Sequence, residues 1–150
     1  MEPANTIQLS NVLLICYHIS MKKSRTTLPL EEQDRALPAE LSPTFINGVL
    51  RKEFGYDGVV ITDGLYMQGI TNKWTVPQAA VMALNAGDDM ILGPNGSYQM
   101  MQVIDALKAA LQNRTLAKSR VDEAATRIIT LKLERHLILT EPPSYYGFNA

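Results

Sequence analysis

Apolar positions along the chain alternate between short uninterrupted runs and longer stripes at helical spacing. The first run, residues 12–17 (Val-Leu-Leu-Ile-Cys-Tyr), has the pattern of a strand covered on both faces. A long polar connection from Ser20 to Leu41 follows, with Lys22, Lys23 and Arg25 and two prolines, longer than an idle loop needs to be. Ser42-Pro43 then predicts a helix start, a hydroxyl cap followed by proline. Phe45, Ile46, Val49, Leu50 and Phe54 fall on one face of that helix, and Gly55 ends it. Tyr56-Asp57-Gly58 turns the chain into a β-branched run, Val59-Val60-Ile61-Thr62, a second buried strand stopped by Asp63-Gly64.

A second cycle repeats the first. Thr75-Val76-Pro77 predicts a helix with Ala79, Ala80, Met82, Ala83 and Ala86 inward, closed by Gly87. Met90-Ile91-Leu92 predicts a third strand. After Gly93-Pro94-Asn95-Gly96, Ser97 is expected to cap a helix with Met100, Met101, Ile104, Leu107 and Leu111 inward. A last helix is expected from Ser119, with Asp122 in a variant of the capping box, through Val121, Ala125, Ile128, Leu131 and Leu133 to about Leu137. Three strands alternating with helices predict an α/β fold with parallel strands. A closed eight-stranded barrel takes about 200 residues at the least, so this chain is expected to hold only part of one. The expected organisation is a first strand and irregular loop over 1–41, strand–helix units with a closing helix over 42–137, and a tail over 138–150.

Composition narrows the classes. The chain has 150 residues, enough for one domain, and 46% of them are apolar, which excludes wholesale disorder. A net charge of -1 leaves no electrostatic footprint for nucleic acid or an anionic membrane. The single cysteine, Cys16, makes neither an internal disulfide nor a zinc cluster, so no staple or metal is expected to hold the fold. The apolar stretch 12–16 is too short to span a bilayer, and no basic residue precedes it as in a secretory signal, so a cytoplasmic chain is expected.

In α/β folds chemistry gathers at the carboxyl ends of strands. Three segments qualify: Tyr17-His18, Thr62-Asp63-Gly64 and Gly93-Pro94-Asn95-Gly96-Ser97. Asp63, directly after a buried run, suits a nucleophile or a stabiliser of positive charge; Asp-Gly also makes a simple turn. The glycine loop could cradle a phosphate on backbone N–H groups or could merely lead into a helix cap. Trp74 reads as a loop anchor or a sugar platform, Met100 and Met101 as core, and Lys22, Lys23 and Arg25 as a solvated run.

The segments Leu37-Pro38-Ala39-Glu40-Leu41-Ser42-Pro43 and Leu50-Arg51-Lys52-Glu53-Phe54-Gly55-Tyr56-Asp57-Gly58-Val59-Val60-Ile61-Thr62-Asp63-Gly64-Leu65-Tyr66-Met67 resemble glycoside hydrolase family 3. The likeness is greatest to its β-N-acetylhexosaminidase branch. It continues through Ala79 to Leu92 and through Arg120-Val121-Asp122-Glu123-Ala124-Ala125-Thr126-Arg127-Ile128-Ile129. The resemblance implies a partial (β/α)8 barrel, about its last three strand–helix units and a closing helix. It implies Asp63 as the nucleophile of a retaining mechanism on terminal β-linked N-acetylglucosamine or a related β-glycoside. His18, aligned with a histidine that lines the family's sugar site, and Met67 are the implied substrate-binding residues, and no cofactor is implied.

The sequence also departs from the family. Gly64 stands where Asp or Ala is usual, the connection from Met21 to Arg35 lacks the family's short segment, and no histidine-bearing acid/base motif occurs. Neither His18 nor His136 matches that motif. The isolated chain is therefore expected to keep a nucleophile without its proton-carrying partner and to show no measurable hydrolysis. The alternative is a non-catalytic sugar- or phosphate-binding or assembly module, self-associating through exposed strand edges.

Overall fold

A computed structural model describes residues 37–138. They form a 3-10 turn (Ala39–Leu41), a π-helix (Thr44–Glu53) and four α-helices. The α-helices are α1 (Gln68–Thr71), α2 (Val76–Ala86), α3 (Gly96–Gln112) and α4 (Lys118–Glu134). The strand expected at 12–17 lies outside the described residues, as do His18 and Cys16. Among the described residues no helix is long and apolar enough to cross a membrane.

Helix α2 is the axis of the packing. The Thr75 hydroxyl accepts from Gln78 N–H while the Gln78 side chain returns to Thr75 N–H, a complete capping box; Gly87 closes the helix with φ 118°. Ala79, Ala80, Ala83 and Ala86 are fully buried, and their small side chains let neighbours approach on several sides. Leu41, Leu65, Ile70, Val76 and Val103 pack around Ala79, Ala80 and Ala83. Ile46, Leu50 and Val60 pack around Ala86. Leu84 packs with Ala110 and Leu116.

The predicted helix after Ser42 is present, but as a π-helix closed by Phe54 N–H on Val49 C=O. The Ser42 hydroxyl does accept from Phe45 N–H, at 3.3 Å. Phe45, Ile46, Val49 and Leu50 are buried as expected, whereas Phe54, past the last turn, is 65% exposed.

The two described strand segments are shorter than expected: 59–62 and 90–92 meet in one parallel bridge, Ile61 to Met90. Backbone bonds run from Met90 N–H to Val60 C=O and from Thr62 N–H to Met90 C=O. Side chains replace the ladder at both ends. Asp89 Oδ2 takes Val60 N–H at 3.0 Å, and the Thr62 hydroxyl takes Leu92 N–H at 2.9 Å. The described residues are therefore mostly helical rather than an alternation of full strands and helices.

Three further expectations are corrected. Met100 and Met101 are 48% and 54% exposed, and Ile104 is exposed too; α3 turns Val103 and Ala110 inward instead. Ser97 lies inside α3 and does not cap it, the Gln99 side chain instead accepting from Asn95 N–H. At α4 the cap position is Ala117, with no capping side chain, and Asp122 pairs with Lys118. The short helix α1 was not foreseen.

Candidate active site

Val59 and Val60 are buried and Thr62 is fully so, which fixes the backbone that delivers Asp63 to the end of the bridge. The Asp63 carboxyl is half-buried, and its Oδ1 accepts from Gly64 N–H at 2.7 Å. Leu65, with no exposed surface, plugs the loop into the core while its N–H donates to Leu92 C=O. Tyr66 and Met67 follow on the surface. Met67 N–H donates to Gly64 C=O, and Met67 C=O accepts from Ile70 and Thr71, so α1 secures the far side of the loop.

Gly93 completes the corner. It has φ 109°, and a Cβ there would lie 2.9 Å from Leu65 N and 3.1 Å from Gly64 Cα, so only glycine lets the two loops touch. The structure thus brings Asp63, Gly64, Tyr66 and Gly93 to one place, with Met67 on the same loop. His136 ends α4 in a left-handed turn with φ 54° and belongs to a separate part of the chain.

Two further carboxyls have raised pKa values, and one of them, Glu40, feels the Asp63 charge. Burial raises the Glu40 pKa; its own backbone N–H opposes that rise and the Asp63 charge adds to it. Asp88 is fully buried, and neither of its oxygens has a hydrogen-bond partner among the described residues. Burial, then the charges of Glu40 and Asp89, hold it well above the ordinary carboxylate range.

Asp89, beside it, is fully partnered. Its oxygens meet Arg51 at 2.6 Å, Arg120, and Arg127 at 3.2 Å, besides Val60 N–H. Those guanidiniums also bind the carbonyls of Tyr56, Gly58, Leu84 and Asp88. Glu123 joins Arg120 and Arg127; burial opposes its ionisation, yet the two guanidiniums outweigh that and lower its pKa. This hub clamps α4 beneath the bridge that carries Asp63.

Sequence reading did not single out Tyr66, Glu40 or the hub. Paired acids directly before an apolar run, Asp88-Asp89 before Met90-Ile91-Leu92, were the available signal. Trp74 is an anchor: it packs partly buried against the α2 cluster, with Lys73 Nζ 5.7 Å from its ring centroid. A concave space of about 580 Å³ beside it is lined by Lys73, Gln78, Gln99 and Gln102 and does not include Asp63. Among the described residues no group of three or more His, Cys, Asp or Glu side chains converges as a metal site.

The sequence matches the family description "Glycosyl hydrolase family 3 N terminal domain" over residues 13–131. A β-hexosaminidase from Methylobacillus flagellatus is 37% identical over 81 residues, which are 54% of this chain and 23% of that protein. A β-N-acetylglucosaminidase/β-glucosidase from Cellulomonas fimi is 27% identical over 85% of this chain and 21% of its own length. Among solved structures, a family 3 β-N-acetylglucosaminidase from Paenibacillus superposes with a TM-score of 0.65 at 38% identity, covering 72% of this chain and 21% of that one. The chain thus spans about a fifth of the length of these relatives.

Proposed function

Because this chain belongs to glycosyl hydrolase family 3, whose N-terminal domain is of the TIM-barrel type, we propose that it forms the last part of such a barrel. On this reading it carries the nucleophile for retaining hydrolysis of terminal β-linked N-acetylglucosamine or a related β-glycoside. The observation that carries the reading is Asp63 itself, a half-buried carboxylate at the end of the Val59–Thr62 segment. Its Oδ1 is held by Gly64 N–H, which leaves Oδ2 to face a substrate.

In the proposed chemistry Asp63 Oδ2 attacks the anomeric carbon, the bond to the leaving oxygen breaks, and the sugar is left esterified to the carboxylate. Water then displaces it. His18 and Met67 would line the sugar site. The enzyme names of the relatives favour a hydrolase over a non-catalytic module.

The two steps make different demands. An activated aryl oxide leaves without protonation, whereas attack of water needs a general base, typically worth about 10²–10⁴-fold. A chain with the nucleophile alone should therefore stall after the first step. Incubated with an activated aryl β-N-acetylglucosaminide, the wild-type chain is expected to gain the mass of one sugar residue in intact-mass spectrometry. Steady-state turnover should stay at background. The adduct should vanish in Asp63→Ala and Asp63→Asn; no adduct on the wild type, or one that persists in both variants, overturns the assignment.

A further inference from the structure

Tyr66 packs against Gly64, the residue that follows Asp63 and whose N–H binds its carboxylate. A Cβ built on Gly64 would lie 2.7 Å from Tyr66 Cε1 and 2.9 Å from Cζ, and one on Gly93 would lie 3.0 Å from Cδ1. The ring is therefore seated by one side against two glycines from two different loops. Asp63 Oδ1 is bound to the N–H of the first of them. Yet Tyr66 remains 58% exposed. Contact of this closeness on one edge leaves much of the ring presented to solvent on the loop that carries Asp63.

We propose that Tyr66 is a stacking platform that positions the pyranose ring of the substrate against Asp63. The proposal rests on the function given above and adds a residue to it. A pyranose offers a face of C–H groups that matches an aromatic ring, and its hydroxyls stay free for polar partners at the rim. The other large ring nearby, Trp74, is already committed to the α2 cluster and to Lys73. Gly64, where the family pattern usually has Asp or Ala, is what lets the Tyr66 ring lie down.

Methyl β-N-acetylglucosaminide, which has no activated leaving group, separates binding from chemistry. NMR titration of the full chain is expected to show binding, with the protons on one pyranose face shifted upfield by the ring above them. Tyr66→Ala should weaken binding about tenfold, roughly the value of one well-placed aromatic contact, and abolish the upfield shift. Tyr66→Phe should keep both. Gly64→Ala leaves Tyr66 in place but pushes its ring aside, and should lose the upfield shift as well; circular dichroism verifies that each variant is folded.

Absence of binding by the wild type, unchanged binding in Tyr66→Ala, or a Tyr66→Phe variant as weak as Tyr66→Ala each overturns the proposal. Failure of the Asp63 assignment reads differently: sugar binding and its upfield shift persist while no adduct forms.

Discussion

Both oxygens of Asp88 are buried without a hydrogen-bond partner among the described residues. Its folded pKa lies above the ordinary value of 3.8, first because of burial and then because Glu40 and Asp89 repel its charge. Between the two pKa values the folded chain holds a proton that the unfolded chain has released, so stability falls as pH rises through that window. The fall approaches about 1.4 kcal/mol per pH unit for one proton. Thermal unfolding followed across pH should show this decline in the wild type and a flatter profile in Asp88→Asn. A decline of equal slope in both would assign it to other groups. The place of Asp63 at the end of a β-branched run was legible in the sequence, because that is a local signal. Asp88 and Asp89 were not: two adjacent acids look alike on paper, while here one is orphaned and its neighbour meets three guanidiniums. Those partners stand 31 and 38 positions away, beyond any local pattern.

Periodicity located the long helices but misjudged the inward face of one. In α3 Leu107 and Leu111 pack inward as expected, but Met100, Met101 and Ile104 do not, and Val103 and Ala110 meet α2 and Leu116 in their place. Close packing on the alanine-rich α2 admits the small Val103 and Ala110 beside Leu107, and Met100, Met101 and Ile104 are left outside. Val103→Ala should accordingly cost about 1–3 kcal/mol in chemical denaturation. Met101→Gln should stay within about 0.5 kcal/mol, as exposed positions do. The reverse ranking would restore the stripe read from hydrophobicity. Helix α2 was read correctly in both its caps and its buried face because Thr75, Gln78 and Gly87 act through backbone bonds within a few residues. The π-helix and the shortened strands were not, since both depend on side chains that compete for, or replace, the regular backbone ladder.

Across the whole molecule, apolar surface is conspicuous: Phe54, Tyr66, Met67, Leu92, Tyr98, Met100 and Met101 are all exposed among the described residues. Exposed apolar area of this extent favours association. Light scattering on the purified 150-residue chain is expected to give a species heavier than the 16.6 kDa monomer, and a monodisperse monomer would refute that. The Asp89 hub bears on how such a chain reaches its folded state. Synthesis delivers Asp89 and Arg51 well before Arg120 and Arg127. Until the last helix emerges from the ribosome, the acid can draw on only one of its three guanidiniums, and its desolvation goes largely uncompensated. Closing the clasp also means paying the entropy of long loops before any contact rewards it. Closure of this hub is thereby postponed until α4, which carries Arg120 and Arg127, has been synthesised.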